Sequence, residues 1–124
     1  MEEVVFIHDN EPATTSRNFA KTFNIRHHNF LKRVRSLRRI PNSENFITQS
    51  FKLISYFDKN GRKRPEYIMT YDGFIIMSVG VNRSGEFLNE ALEYLGQFCQ
   101  KSKEVEATAS NFIDPFDFIV RSAD

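Results

Sequence analysis

The sequence predicts an α+β fold: a winged helix-turn-helix-like domain with a basic β-hairpin wing, a long C-terminal helix and a tail. Three observations predict it. Residues 17–40 carry eight Lys/Arg and no Asp or Glu, on apolar spacing that suits two short helices. Residues 50–57 and 65–69 are rich in aromatic and branched residues and flank Asp58-Lys59-Asn60-Gly61, a turn signal. Residues 85–101 then carry a wide apolar stripe at helical spacing.

In chain order, Val4 to Ile7 suits a short strand, and Asn10-Glu11-Pro12 a turn. Thr14 and Thr15 are candidate N-caps for a helix over 16–23, because a Thr hydroxyl can accept from a free first-turn amide. Phe19, Ala20 and Phe23 mark its inner face. After a break at Asn24-Ile25-Arg26, a second helix is expected over 27–39, with Phe30, Leu31, Val34 and Leu37 on one side. Pro41-Asn42-Ser43 ends it. The hairpin follows, and then a helix over 71–79 with Thr70 as cap and Asp72 at the positive end of its dipole. That helix is expected to bury Phe74, Ile75 and Met77 or Ile76. The long helix has Phe87, Leu88, Ala91, Leu92, Leu95, Phe98 and Cys99 on its stripe, broad enough for both the core and a second subunit. Residues 1–101 form the expected domain. Residues 102–124 are expected as a polar linker to 110 and an apolar C-terminal arm.

A chain of 124 residues suits one core, and 13 Phe make that core aromatic. The Phe rings are expected to be buried rather than displayed for base stacking. Cys99 is the single cysteine, which excludes an intrachain disulfide and fits a reducing cytoplasm. It is expected to be a buried, inert thiol. The acidic start lacks the pattern of a secretory signal, and the longest apolar run, Phe74 to Met77, is too short for a membrane span. No membrane association is expected. Adjacent His27 and His28 point about 100° apart on a helix and have no further ligand at metal spacing, so no metal site and no cofactor are expected. Glu86, Glu90 and Glu93 are spaced like an exposed face, and no catalytic constellation is present in the pattern; an enzyme is not expected.

The formal net charge of +1 hides an asymmetry, because residues 1–64 hold thirteen basic and six acidic groups and residues 65–124 hold four and ten. Like charges one turn apart destabilise a helix by a few tenths of a kcal/mol per pair. An external polyanion would relieve that repulsion. A helix of this kind fits the DNA major groove, where its first turns meet base edges. Asn29, Lys32, Arg33 and Ser36 are therefore expected to read bases, since Asn can pair twice with adenine and Arg with guanine. Arg26, His28, Arg35 and Arg39 are expected beside them, on or near phosphate, with Lys21 and Arg38 as further phosphate contacts. The hairpin tip, Lys59, Arg62, Lys63 and Arg64, is expected on the flanking backbone.

Thr15-Ser16-Arg17-Asn18-Phe19-Ala20 and Arg26-His27-His28-Asn29-Phe30-Leu31-Lys32 resemble the start of the phage regulatory protein Rha family. Gly61-Arg62-Lys63-Arg64-Pro65-Glu66-Tyr67-Ile68-Met69-Thr70-Tyr71-Asp72-Gly73-Phe74 is similar to a second signature of that family. The resemblance covers about residues 10–100. Asn24 stands where the family often has Gly, and His28 where it often has an acidic residue. The resemblance implies a phage- or prophage-encoded transcriptional regulator in the cytoplasm of a bacterial host, with double-stranded DNA as partner. A homodimer is expected. The alternative is an antirepressor-like module that docks on a host or phage regulatory protein through the helix of 85–101 and the arm.

Overall fold

Asp9 and Asn10 both adopt the left-handed region, with φ of 51° and 63°. Two successive positive φ angles match the twist of a tight hairpin, and Asx residues tolerate them best. In the computed structural model, which describes residues 2–81 and 85–110, this turn joins β1 (Phe6–His8) to β2 (Glu11–Thr15). Strand structure thus starts later than the expected Val4, and Glu11-Pro12 belongs to β2 rather than to the turn. Val4 and Val5 are buried, and their amides donate to Gln97 Oε1 at 2.7 and 3.1 Å. That pairing with a side chain 92 or more residues away replaces the ladder bonds local pattern predicts.

The remaining elements are α1 (Ser16–Thr22), α2 (His27–Leu37), α3 (Glu44–Ser50), β3 (Phe51–Phe57), β4 (Lys63–Thr70), α4 (Tyr71–Ser78) and α5 (Gly85–Ser110). The four strands form one antiparallel sheet in the order β1-β2-β4-β3. β4 therefore pairs with the hairpin partner β3 on one side and with β2, the strand that leads into α1, on the other.

Phe19, Phe30, Phe74, Tyr94 and Phe98 are almost fully buried and form the centre of the core with Val34, Met69 and Met77. The rings of Phe19 and Phe30 lie 5.5 Å apart, Phe19 and Phe74 5.8 Å, and Phe74 and Tyr94 4.9 Å. Burying each ring contributes roughly 1.5–3 kcal/mol. These contacts fasten α1 and α2 to α4 and α5. Phe57 and Phe46 depart from the expectation of buried rings, at 72% and 40% exposure.

Thr70 Oγ1 accepts from Gly73 N–H and caps α4, with Asp72 in the first turn. A Cβ on Gly73 would lie 2.8 Å from the Ser50 carbonyl oxygen, so glycine lets α4 lie against the end of α3. Ile75 does not join the core; it is 40% exposed, because Gly73, Phe74 and Met77 take the inner face.

Two elements differ from the sequence expectation. α3 fills a stretch where no element is expected; Ile47 and Ser50 are its buried residues, too few to show a period. α5 continues through 102–110, so that stretch is helix rather than linker. Lys101 explains part of this, since it bonds Glu104 one turn on at 3.3 Å and also Glu3. Lys103, Glu104, Glu106 and Ala107 are also good helix formers. Cys99 is exposed on α5 rather than buried. The expected arm lies outside the described residues.

Candidate nucleic-acid interface

The site is built on the joint between α1 and α2. Thr15 Oγ1, not Thr14, accepts from Asn18 N–H at 3.1 Å and starts α1. Thr14 is buried and donates to the Val4 carbonyl. At the other end Asn24 has φ of 53°, Ile25 N–H bonds Ala20 O at 2.9 Å, and Asn24 N–H bonds Lys21 O at 3.4 Å. This pair of bonds around a left-handed residue is the Schellman stop, and asparagine serves in the place usually given to glycine. α2 then begins at His27 with no side-chain cap on its first amides and no acid in its first turn. Its positive dipole end is left facing outward among cations.

Phe30 and Val34 bury the inner face of α2. Arg26, His28, Asn29, Lys32, Arg35, Ser36, Arg38 and Arg39 are all exposed. Among the described residues, none of the cations from Arg26 to Arg39 forms an ion pair with a carboxylate. The described acids of the second half therefore do not neutralise this helix. Ser36 Oγ donates back to Lys32 O at 3.2 Å and retains its lone pairs for an incoming donor.

Arg33 departs from the expected base-reading position. It is half-buried, its Nε has no hydrogen-bond partner, and its guanidinium fills the space where a Cβ of Gly80 would lie. On the helical wheel Arg33 sits at the flank of α2 rather than opposite Phe30, and the bare backbone of Gly80 leaves a slot for it. Arg38 leaves the phosphate set in part, with Nη2 3.4 Å from Tyr67 Oη on β4.

The hairpin tip is held by Asp58. Its carboxylate accepts from Asn60 N–H and Arg62 N–H, both at 2.9 Å, and from Arg64 Nε at 3.1 Å. These bonds hold its carboxyl below the ordinary value, led by the Arg62 amide. Gly61 supplies the positive φ of 75° that the turn requires. Arg64 is therefore tied, whereas Lys59, Arg62 and Lys63 are exposed and make no side-chain ion pair among the described residues.

A polar joint fixes the hairpin relative to α2, and sequence reasoning missed it. Ser16 Oγ accepts from Tyr67 N–H at 2.8 Å and lies 2.7 Å from His27 Nε2. Burial, then the nearby Arg17 charge, hold His27 below its ordinary pKa. In a neutral ring one nitrogen donates and the other accepts, so the tautomer of His27 sets which way its bond with Ser16 runs. Arg17 caps the Tyr56 ring at 3.7 Å and lies 3.5 Å from Glu66, whose carboxyl is pushed up by burial more than that charge lowers it. Among the described residues Arg17 is thus the one cation of the 17–40 stretch that is matched by an acid from the second half. The only sequence signal for the joint is Ser16 and His27 eleven positions apart, which carries no period.

Among the described residues no group of three or more His, Cys, Asp or Glu could hold a metal ion, and no helix is long and apolar enough to cross a membrane. The family model for phage regulatory protein Rha matches residues 14–98. A curated protein of Haemophilus influenzae (strain Rd), named only as uncharacterized, is 33% identical over 85 residues. The match covers 68% of this chain and 49% of that protein, so the chain spans about half the length of the relative. No solved structure matches.

Proposed function

Since the chain belongs to the phage regulatory protein Rha family, we propose that it regulates transcription by binding double-stranded DNA through a winged helix-turn-helix. One observation carries the reading: the exposed cations of α2 have no carboxylate to neutralise them among the described residues. α2 enters the major groove. Asn29, Lys32 and Ser36 are its base readers, and Arg26, His28, Arg35 and Arg39 take phosphate or adjacent bases. Lys59, Arg62 and Lys63 reach the flanking backbone from the wing, and Arg64 sets the shape of its tip. The strand order β2-β4-β3 supports this reading, because it anchors the wing to the strand that starts α1.

Binding is measured by fluorescence anisotropy with pooled random duplexes over a salt titration. The affinity should fall with a log–log slope of about −0.9 for each phosphate neutralised. Changing Lys32, Arg35 and Arg39 together to Ala should weaken binding to every duplex and flatten that slope. No binding at about 50 mM salt overturns the reading, because nonspecific DNA affinity is greatest at low salt.

A second reading has its own support. Leu88 and Leu92 lie one turn apart on α5 at 55% and 67% exposure. An apolar pair so placed suits either a second copy, giving a homodimer on two half-sites, or a host or phage regulator bound in an antirepressor-like way. The cytoplasm of a bacterial host is the setting in both readings.

A further inference from the structure

β3 is an edge strand of the sheet, and its successive side chains point to opposite faces. Tyr56 and Phe57, its last two residues, therefore look opposite ways. The Tyr56 ring is covered, because the Arg17 guanidinium lies over it at 3.7 Å. The Phe57 ring is bare. At 72% exposure it is the most exposed large apolar side chain among the described residues.

The register fixes the direction of that ring. Leu53 pairs with Tyr67, Ser55 with Pro65 and Phe57 with Lys63, so these side chains share one face of the hairpin. Tyr67 is the member of that face that Arg38 reaches from the end of α2, at 3.4 Å. Phe57 thus stands on the α2 side of the wing, about 13 Å farther out at the rise of a strand.

Its surroundings are cationic. Lys63 lies directly across the ladder, and Lys59 and Arg62 belong to the turn just beyond. None of the three side chains forms an ion pair among the described residues. Asp58, the next residue, gathers the Asn60 and Arg62 amides and the Arg64 guanidinium, which stiffens the tip. The bare ring needs apolar cover, and the cations beside it need a polyanion. A nucleic-acid duplex supplies both within a few ångströms, since stacked bases lie beneath a rail of phosphates.

We propose that Phe57 is a wedge: from the minor groove beside the α2 site it enters between two neighbouring base pairs and kinks the duplex there. This rests on the reading of α2 as the major-groove helix. The minor groove, roughly 6 Å wide, admits a side chain between its walls. Apolar side chains inserted in this way unstack one step and bend DNA by about 20–90°. Lys59, Arg62 and Lys63 then hold the bent backbone on either side of the ring. The pyrimidine–purine steps TA and CA/TG unstack most readily, so Phe57 confers a sequence preference at a position where no hydrogen bond reads a base.

The full-length protein is titrated at about 50 mM salt into random-pool duplexes of about 20 base pairs with a fluorophore at each end. Anisotropy reads binding, and energy transfer between the ends reads bending. The native protein should raise the transfer as it binds. Phe57→Ala should bind within about tenfold of native, because phosphate contacts supply the nonspecific affinity, yet leave the transfer at the free-duplex value. Phe57→Leu keeps an apolar wedge and should still bend. Sequences selected from the pool by the native protein should be enriched in TA or CA steps, and Phe57→Ala should abolish that enrichment. The ring is exposed, so neither substitution should alter the circular dichroism spectrum. Native protein that binds without raising the transfer, or Phe57→Ala that raises it equally, overturns the wedge and leaves the DNA reading standing. A native dimer that Phe57→Ala converts to a monomer by light scattering also overturns it and assigns the ring to a second copy. No binding by the native protein overturns both readings together, and anisotropy alone reports that case.

Discussion

His27 and Arg33 show how one side chain on α2 can be taken from solvent by its neighbours. His27 spends its Nε2 on Ser16, and Ser16 holds the Tyr67 amide, so a histidine that stands among the cations serves as a hinge pin between α2 and β4. The folded protein holds it below the ordinary value of 6.5, so the unfolded chain takes up the proton first as pH falls. Its contribution to stability is complete above that value and drains away as pH drops toward the folded pKa. Between about pH 7.5 and 5.5 the melting temperature of the native protein should therefore fall relative to that of His27→Gln, which keeps an acceptor but cannot titrate. Parallel melting curves across that range would remove the joint from the account. Arg33 makes the opposite prediction from its neighbour Lys32. Arg33→Ala should lose about 1 kcal/mol in urea melts, because a half-buried stem and its packing on Gly80 are lost. Lys32→Ala should stay within about 0.5 kcal/mol and instead lose DNA affinity.

At the scale of elements, the hairpin tip is a small rigid body, since one carboxylate gathers two amides and a guanidinium. Replacing Lys59, Arg62 and Lys63 together by Ala should leave the melting temperature unchanged and weaken all duplexes alike. The salt slope should lose about 2–3 units if all three reach phosphate. An unchanged titration would place the wing off the DNA. These elements were legible because their signals are local: the cap at Thr15, the break at Asn24, the turn at Gly61 and the cap at Thr70 each lie within four residues of what they control. α3 was not legible, because its inner face has only Ile47 and Ser50 and its polar residues carry no helical period. β2 was hidden for a related reason. Pro12 within Glu11–Thr15 argues against a strand, yet Pro12 pairs with Ile7 on β1 while the register of β2 with β4 begins only at Ala13, so its missing amide breaks no bond to β4. The candidate surface was readable as a cluster and less so residue by residue: α2 presents most of its cations outward, while Arg33, Arg38 and Arg64 each find a partner that sequence spacing does not reveal.

For the whole molecule, the exposed leucines of α5 and the cations of α2 make separable demands. Leu88→Glu with Leu92→Glu should convert a dimer to a monomer by light scattering, with the helical signal intact. DNA binding should then persist at low salt but lose its preference for paired half-sites. A native protein that is already monomeric at high concentration would leave these leucines to a foreign partner. The clasp on the first residues carries a different consequence, for the order in which the protein is made. Gln97 holds the amides of Val4 and Val5 and reaches back to the Glu2 carbonyl, and Lys101 holds Glu3. Contacts so distant along the chain close slowly and late. On the ribosome the β1–β2 hairpin and the helical pair emerge early, but Glu2 to Val5 wait for almost the entire domain to follow. During that interval the amides of Val4 and Val5 stand unpaired, and a chaperone or protease that samples half-folded chains finds an extended segment to hold there.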